Sequence, residues 1–234
     1  MQFANINWIN NQPHSIDFND IYFSTEDGLQ ETEHVFITHN QLKQRFAQHN
    51  NNHFTIIETG FGTGLNFLAV CAHWLALSSP HAKLHYISIE KYPLKLADLQ
   101  RAMQLLPQFN VISSELISKY AGLESGLNQF NLAERRILLD LRVGDIATQL
   151  LQINDMADAW ILDGFAPAKN ADMWSAEVFE HMARLSRINT TFATFTSAGA
   201  VRRGLQAVGF DVKKQGGFGK KREMLSGIFT ENSA

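Results

Sequence analysis

The strongest constraint on the fold is a glycine-rich segment that directly follows a short apolar run. Residues 54–68 read Phe-Thr-Ile-Ile-Glu-Thr-Gly-Phe-Gly-Thr-Gly-Leu-Asn-Phe-Leu, and the apolar run ends in the acid Glu58. Glycines follow at alternate positions: Gly60, Gly62 and Gly64. A helical pattern of apolar residues begins directly after them. This order predicts a strand, a tight turn and a helix, the layout of a nucleotide-type ligand site.

The spacing of these glycines differs from that of the dehydrogenases. In G-x-G-x-x-G the third glycine follows the second by three residues, whereas this chain reads E-x-G-x-G-x-G, a pattern typical of enzymes that bind S-adenosylmethionine. Glycines let the backbone approach a ligand and adopt positive φ. A cofactor that carries a carboxylate and an amine, but no phosphate, needs that approach and a nearby acid. We therefore expect a cofactor site at Glu58, Gly60, Phe61, Gly62, Thr63 and Gly64.

Composition limits the class of protein. The 234 residues suffice for one well-buried domain, and 45% hydrophobic and 18% charged residues are ordinary for a soluble globular protein. A net charge of −3 argues against a protein that coats nucleic acid by charge alone. Cys71 is the only cysteine, so we expect a buried, inert thiol and neither a disulfide nor a cysteine metal cluster.

No targeting or metal-binding signal stands out. No apolar run approaches the roughly 18 residues of a membrane span, and no basic segment precedes an apolar core at the N-terminus. The nine histidines show no metal-ligand spacing, so no metal site is predicted. We expect a cytoplasmic protein without membrane contact.

Apolar periodicity predicts alternating strands and helices from residue 54 onward. The predicted strands are 54–58, 84–90, 136–141, 158–163, 191–196, 209–213 and 223–229, and the predicted helices are 64–77, 94–105, 146–152, 174–187 and 198–207. Such alternation implies a mostly parallel sheet with helices on both faces. The last two strands are joined by a short glycine-rich loop, so the final strand is expected to be antiparallel.

The predicted architecture is α/β, a Rossmann-like class I S-adenosylmethionine-dependent methyltransferase fold with seven strands. The core spans residues 51–234. Residues 1–50 are predicted to form a β-rich extension packed on it, with a hairpin whose strands, 21–23 and 34–37, flank a turn at 26–28. No repeat or second domain is evident.

In a doubly wound sheet, ligands bind at the carboxyl ends of the strands. The second strand ends at Glu90, where a carboxylate can accept both hydroxyls of a ribose; the alternative is a solvated strand-end acid. The third strand leads to Gly144 and Asp145. Asp145 can contact an adenine edge, cap the next helix, or do both.

The fourth strand leads into Asp163-Gly-Phe-Ala-Pro-Ala-Lys-Asn170. An acid, an aromatic residue and a proline together resemble the [D/N]-P-P-[Y/F] loop of amine and amide N-methyltransferases. An aliphatic ammonium must lose a proton before it can accept a methyl group, and Asp163 can hold the amine and receive that proton. Phe165 can wall the pocket or stack on a base. The alternative is a plain turn whose acid caps a helix.

Basic residues concentrate near the C-terminus. Residues 200–223 contain seven basic and two acidic side chains, although the chain is acidic overall. Such runs are usually solvated faces, but this asymmetry with interleaved glycines favours contact with a phosphate backbone. The candidate contacts are Arg202, Arg203, Lys220, Lys221 and Arg222.

Together these segments resemble the methyltransferase domain of the family of bifunctional tRNA 5-methylaminomethyl-2-thiouridine biosynthesis proteins, and its single-domain relatives. The resemblance runs from about residue 18 to about residue 228. Its most specific parts are Asp163–Asn170 and the run Gly217-Phe-Gly-Lys-Lys-Arg-Glu-Met224. Other matching segments are 20–24, 28–32, 60–68, 89–93, 160–174 and 193–210. The chain departs from the pattern at Ala171, where a proline is usual, and at 188–190, where Pro-Gly-Gly is common.

The resemblance implies methylation of 5-aminomethyl-2-thiouridine at the wobble position of tRNA, with S-adenosylmethionine as cofactor and the anticodon loop as partner. It adds Lys91 and Asp163 to the cofactor site, Tyr22, Glu31 and Pro167 to the substrate pocket, and Lys169 to the tRNA contacts. It also implies that many relatives carry a fused C-terminal FAD-dependent oxidase that makes the amine. The alternatives are a small-molecule amine methyltransferase of the same fold and a non-catalytic RNA- or nucleotide-binding module.

Overall fold

The computed structural model describes residues 1–23, 27–49 and 53–230. Its N-terminal part begins with a small antiparallel sheet in the order β1 (Ile6–Ile9), β2 (Gln12–Ser15) and β3 (Asp20–Ile21). Asn10 and Asn11 join the first two strands with positive φ angles of 49° and 61°. Because asparagine tolerates this conformation, an Asn-Asn pair forms a tight hairpin turn there.

The hairpin expected between 21–23 and 34–37 is wrong in its second strand. That segment is helical: α1 (Gly28–Thr32) continues into a wider π-helical turn, Glu33–Thr38, and α2 (Leu42–Ala47) follows. Val35, Phe36 and Ile37 are all buried, so the run lacks the one-sided pattern of a surface helix and was read as a strand. Residues 24–26, part of the expected turn and of the resembling segment 20–24, lie outside the described residues.

An eight-stranded sheet forms the centre of the molecule. Its strands lie in the order β10-β11-β9-β8-β4-β5-β7-β6. Their bounds are β4 (His53–Thr59), β5 (Lys83–Glu90), β6 (Gly126–Leu132), β7 (Ile137–Val143), β8 (Ala157–Leu162), β9 (Ser186–Thr194), β10 (Phe210–Gly216) and β11 (Glu223–Phe229). Five strands, β4, β5, β7, β8 and β9, are mutually parallel.

The reversed final strand is confirmed: β11 pairs antiparallel with both β9 and β10. The predicted count of seven strands is one short, because β6 adds an antiparallel edge strand beside β7. Within β6 only Phe130 and Leu132 are buried. An edge strand with polar residues on its open face gives a weak apolar signal, and the sequence pattern therefore missed it.

Helices cover both faces of the sheet. They are α3 (Leu65–Leu77), α4 (Leu96–Gln104), α5 (Asn110–Tyr120), α6 (Ile146–Leu151), α7 (Ala176–Arg184) and α8 (Gly199–Ala207). Helix α5 was not predicted. Of these helices, α3 is the most deeply buried, because α1 and α2 pack on its outer side. Phe46 of α2 meets Trp74 of α3 edge to face at 5.0 Å, and Cys71 is fully buried as expected.

Candidate active site

Five parallel strand ends meet at one edge of the sheet and surround a cavity of about 320 Å³. A volume near 300 Å³ is at the lower end of the range for small-molecule sites. Strand β4 lies between β8 and β5, so the chain continues to opposite sides of β4 at this point of the sheet. Doubly wound folds bind their ligands at such a switch point. The strand ends contribute Gly60–Thr63, Glu90–Tyr92, Gly144–Asp145, Asp163–Phe165 and Phe195 to the lining.

The glycine loop forms the floor of the cavity beside β4. Gly60, Gly62 and Gly64 have φ angles of 83°, 52° and 76°, a region that side-chain-bearing residues rarely adopt. A Cβ atom on Gly62 would lie 3.3 Å from the ring of Tyr22. The loop therefore presents bare backbone to the cavity, with an aromatic ring closing over it.

Glu90 fastens this loop and faces the cavity. Its Oε2 accepts a hydrogen bond from the Gly62 N–H, and its Oε1 accepts one from the Tyr92 N–H, both at 2.9 Å. Burial raises the pKa of Glu90, and the backbone donors oppose that rise. A carboxylate offers about four acceptor positions, so further positions remain for ligand hydroxyls. This geometry fits the predicted ribose role, which stays a prediction.

Asp145 caps α6, and helix capping is one of the two roles predicted for it. Its Oδ1 accepts the Thr148 N–H at 3.5 Å. Its Oδ2 lies 3.2 Å from Nζ of Lys91, which also approaches Asp172 at 3.7 Å. Lys91 and Asp145 both line the cavity, so contact of either with a cofactor stays a prediction.

Asp163 is held by a buried amide that the sequence reasoning did not single out. Nδ2 of Asn66 donates to Oδ2 of Asp163 at 2.7 Å, and the Gly164 N–H donates to Oδ1 at 2.8 Å. Thr32 donates to Oδ1 of Asn66 at 2.8 Å, which fixes the orientation of the amide. Burial raises the pKa of Asp163 to about 6. The carboxylate is therefore ionised at neutral pH yet is a stronger base than an exposed aspartate.

Glu58 lies behind the cavity rather than on its surface. It accepts hydrogen bonds from Ser88 Oγ at 2.6 Å and from Asn66 Nδ2 at 3.1 Å. Burial raises its pKa to about 8. Glu58 reaches the cavity only through Asn66, which touches Glu58 and Asp163 with the same amide group. Direct contact between Glu58 and a cofactor is thus an untested prediction, and the structure shows a supporting position.

Aromatic rings form another part of the cavity wall. Phe165 stacks on Phe18 at a centroid distance of 4.6 Å and meets Tyr22 edge to face at 5.3 Å. Trp174 fixes the loop, since its Nε1–H donates to the Phe165 carbonyl at 3.1 Å. Pro167 lies in the same loop but is not among the residues that line the cavity. Phe18 was not predicted, because only the fold brings it to Phe165.

Two lysines predicted to contact tRNA are engaged within the protein. Lys169 donates to the Asn19 carbonyl at 2.6 Å and lies 3.3 Å from a carboxylate oxygen of Asp20. Lys221 lines the cavity and pairs with Glu31 at 2.7 Å. Of the other four predicted contacts, Arg202 and Arg203 are the fourth and fifth residues of α8, and Lys220 and Arg222 are exposed in the β10–β11 loop.

Met173 is a further lining residue that the sequence reasoning did not identify. A Cβ atom on Gly164 would lie 2.6 Å from its Cε, and one on Gly60 would lie 3.4 Å from the same atom. Met173 therefore packs where two strand-end turns approach each other. The glycines show this constraint, but the sequence does not reveal which side chain fills the space.

Residues 1–23, 27–49 and 53–230 contain neither a candidate metal site nor a candidate membrane-spanning helix. No group of three or more His, Cys, Asp or Glu side chains there is arranged to hold a metal ion. Within the same ranges, no helix combines the length and apolar character that crossing a bilayer requires.

A family model described as "S-adenosyl-L-methionine-dependent methyltransferase" matches residues 107–230. A protein of Methylobacillus flagellatus is 49% identical over 98% of this chain, and one of Pseudomonas entomophila is 46% identical over its whole length. Both are named tRNA 5-methylaminomethyl-2-thiouridine biosynthesis bifunctional protein MnmC. The chain covers 35% and 36% of these two proteins, about a third of their length.

A solved structure has the same fold. The crystal structure of MNMC2 from Aquifex aeolicus superimposes with a TM-score of 0.72, covering 99% of this chain and 72% of that one. The identity is 19%. At that level the similarity establishes the Rossmann-like architecture.

Proposed function

Since the chain belongs to the S-adenosyl-L-methionine-dependent methyltransferases, we propose that it methylates the amine of 5-aminomethyl-2-thiouridine at the wobble position of tRNA. The product is 5-methylaminomethyl-2-thiouridine. The observation that carries the proposal is Asp163, a cavity-facing carboxylate whose pKa burial raises to about 6, at the end of the strand next to the glycine loop. The printed names of relatives that align with nearly the whole chain support this substrate.

The cavity residues fit the cofactor. The glycine loop offers backbone without side chains, and Glu90 keeps free acceptor positions that would bind ribose hydroxyls. Lys91 and Asp145 line the same cavity and would contact the adenine. S-Adenosylmethionine, when bound, supplies an electrophilic methyl group on a sulfonium. Thr63 and Phe61, which also line the cavity, complete the predicted contacts.

Asp163 prepares the acceptor nitrogen. An alkylammonium has no lone pair, and its pKa in water resembles that of a lysine, roughly 10. Its proton moves to a carboxylate oxygen of Asp163, which leaves a neutral amine with a free lone pair and a neutral carboxylic acid. The wall formed by Phe165, Phe18 and Tyr22 lowers the local polarity, and this favours the neutral pair over the two ions. Asn66 keeps the oxygens of Asp163 in place.

The surroundings of the cavity support an RNA-borne base as the acceptor. Phe165 and Tyr22 supply apolar ring surface on which a pyrimidine can stack. The β10–β11 loop carries Lys220 and Arg222, and the N-terminal half of α8 carries Arg202 and Arg203, near the same sheet edge. The wobble base must swing out of the anticodon loop to enter, at modest cost because the loop is single-stranded.

An upstream oxidase is part of the proposal. The relatives extend well beyond the region that matches this chain. We propose that an FAD-dependent oxidase, fused or separate, releases the amine that this chain then methylates. FAD belongs to that partner and not to this chain.

The direct test is mass spectrometry of nucleosides from tRNA incubated with the protein and S-adenosylmethionine. We expect a gain of one methyl group on the aminomethyl uridine, and no gain in tRNA that carries an unmodified wobble uridine. Methylation of free amines without a tRNA gel shift at moderate salt would instead identify a small-molecule enzyme. Absence of S-adenosylmethionine binding in calorimetry would contradict the enzymatic proposal.

A further inference from the structure

An ion pair at the edge of the cavity joins two segments that are far apart in sequence, and its side chains are 48% exposed for Lys221 and 28% exposed for Glu31. Lys221, in the β10–β11 loop, places its Nζ 2.7 Å from Oε1 of Glu31 on α1. The same Nζ lies 4.4 Å from the centroid of the Phe195 ring. All three residues line the cavity that contains Asp163.

A carboxylate beside an aromatic face is a binding site for an ammonium ion. The carboxylate accepts charge-assisted hydrogen bonds, and the ring face attracts the cation through its quadrupole. Glu31 and Phe195 therefore form such a site, and the chain's own lysine fills it. The two charges also act on Asp163: burial chiefly raises the pKa of Asp163, while Glu31 adds to the rise and Lys221 opposes it.

We propose that Glu31 and Phe195 are the ammonium subsite for the substrate, and that Lys221 is an internal placeholder which the substrate's alkylammonium displaces. The inference rests on the proposed function for the identity of the amine. Lys221 sits between Lys220 and Arg222, both exposed, so once displaced it points toward the surface where a phosphate backbone would lie.

The exchange conserves charge in the cavity. One ammonium leaves Glu31 and another takes its place, so Glu31 is never left as an unpaired carboxylate, which would be costly at a partly buried position. The substrate nitrogen then passes one proton to Asp163, and its lone pair would form the bond to the methyl carbon as the methyl–sulfur bond breaks and the electron pair stays on sulfur in S-adenosylhomocysteine. Glu31 is left facing the methylated ammonium product, whose charge it still balances. Lys221 can return when this product leaves.

A second lysine–glutamate ion pair lies on the same hairpin but outside the cavity. Lys214 and Glu223 pair at the same distance, 2.7 Å, on the same β10–β11 hairpin. Neither side chain lines the cavity, and Lys214 is about as exposed as Lys221, 46% against 48%. This pair is a matched control, because its removal breaks an equally short ion pair on the same hairpin outside the site.

The first experiment compares binding of two tRNAs, one with aminomethyl uridine and one with unmodified uridine at the wobble position, in the presence of S-adenosylhomocysteine. We expect the unaltered protein to prefer the aminomethyl tRNA by about tenfold or more, as a charge-assisted contact would give. Glu31→Gln should abolish the preference, whereas Glu223→Gln and Lys221→Met should retain it. A preference that survives Glu31→Gln overturns the subsite.

The second experiment needs no tRNA and separates this inference from the proposed function. Benzylammonium and the neutral benzyl alcohol are titrated against the protein by ligand-observed NMR. We expect the cation to bind better, with the difference increased by Lys221→Met and removed by Glu31→Gln or by Phe195→Leu. Equal binding of both probes to Lys221→Met overturns the subsite, even if tRNA is methylated. Selective cation binding without tRNA methylation would overturn only the proposed substrate.

Discussion

The two sides of the cavity are built differently. On the cofactor side, the glycine loop and Glu90 are 28 residues apart or less and are joined through backbone N–H groups. On the acceptor side, Asn66 reaches Asp163 across 97 residues, Lys169 reaches Asn19 across 150, and Lys221 reaches Glu31 across 190. Side chains make most of these acceptor-side contacts.

This contrast indicates how the two sides tolerate change. Backbone donors depend on the path of the chain, so the cofactor side should respond mainly to substitutions that alter φ. Side-chain donors and charges depend on single functional groups, so the acceptor side should respond to isosteric substitutions that leave the fold intact.

The largest effect is expected at Asp163. Asp163→Asn removes the proton acceptor, and loss of a general base typically lowers the rate by about 10²–10⁴-fold. Affinity for S-adenosylmethionine should change by less than about threefold. Single-turnover methylation and calorimetry measure the two quantities. The same isosteric substitution on the cofactor side, Asp145→Asn, should slow the chemical step far less than Asp163→Asn does; an equal loss would contradict the division.

Asp163→Asn should also change how stability depends on pH. Burial raises the pKa of Asp163 from 3.8 to about 6, so the native state resists ionisation more than the unfolded chain does. The substitution removes this cost of about 1–3 kcal/mol, which is near zero below pH 3.8, grows as pH rises and is complete above about pH 6. It also adds a cost that does not vary with pH, because both oxygens of Asp163 accept hydrogen bonds and the new NH2 group would face the Asn66 amide or the Gly164 N–H. Urea unfolding at pH 4 and pH 7.5 compares variant and unaltered protein, and the difference should move in favour of the variant at pH 7.5.

Asn66→Ala should shift the pH dependence of the reaction. The amide hydrogen bond lowers the pKa of Asp163 against the burial that raises it, so its loss moves the rising limb of kcat/KM to higher pH. Unfolding free energy should fall by about 1–3 kcal/mol, because buried partners lose a donor. Asn40→Ala is the control: Asn40 is buried and donates to the Trp160 carbonyl away from the cavity. It should cost similar stability and leave the pH profile unmoved.

Gly62→Ala tests the backbone half of the comparison. Its φ of 52° is strained for alanine, and the new Cβ would meet Tyr22 at 3.3 Å. We expect about tenfold weaker binding of S-adenosylmethionine by calorimetry, from about 1–2 kcal/mol of backbone cost and crowding. Gly219→Ala has a similar φ of 58° and no neighbour within 4 Å. If both variants weaken cofactor binding equally, general destabilisation explains the result.

The smallest effect is expected on tRNA affinity. Lys220→Ala should weaken binding by about fivefold at 0.15 M salt and reduce the slope of log K against log salt by about one, as loss of one phosphate contact predicts. Lys83→Ala, at the start of β5 and the opposite edge of the sheet, should change neither. Filter binding over a salt series measures both. Equal slopes for the two variants would remove Lys220 from the tRNA surface.

Much of the fold was predictable because the local periodicity of apolar residues indicates strands and helices. All seven predicted strands exist, and the reversed final strand is confirmed. The errors share a cause. Strand β6 is a polar edge, and the run 34–37 is buried on several sides. In both segments the apolar pattern reflects how many neighbours surround the chain, and a short window of sequence does not contain that information.

The sequence predicted those cavity residues that lie at the ends of strands. Glu90, Asp145 and Asp163 all follow strands and all line one cavity. The sequence did not show that Glu58 lies behind Asn66, nor that Lys221 turns inward to Glu31. Both facts depend on contacts between side chains of different segments. No sequence pattern indicates which of these segments meet in the fold.

The sequence by itself determined the glycine loop at the floor of the cavity, because alternate glycines after a buried strand leave the backbone few other paths. It also placed the acids at a common edge, because parallel strands bring their carboxyl ends together. Tertiary structure alone decided which acid faces the cavity, which amide holds it, and which lysine pairs with Glu31. These outcomes depend on hydrogen bonds and charges between distant residues, whose strength is set by distance and burial and therefore exists only in the folded chain.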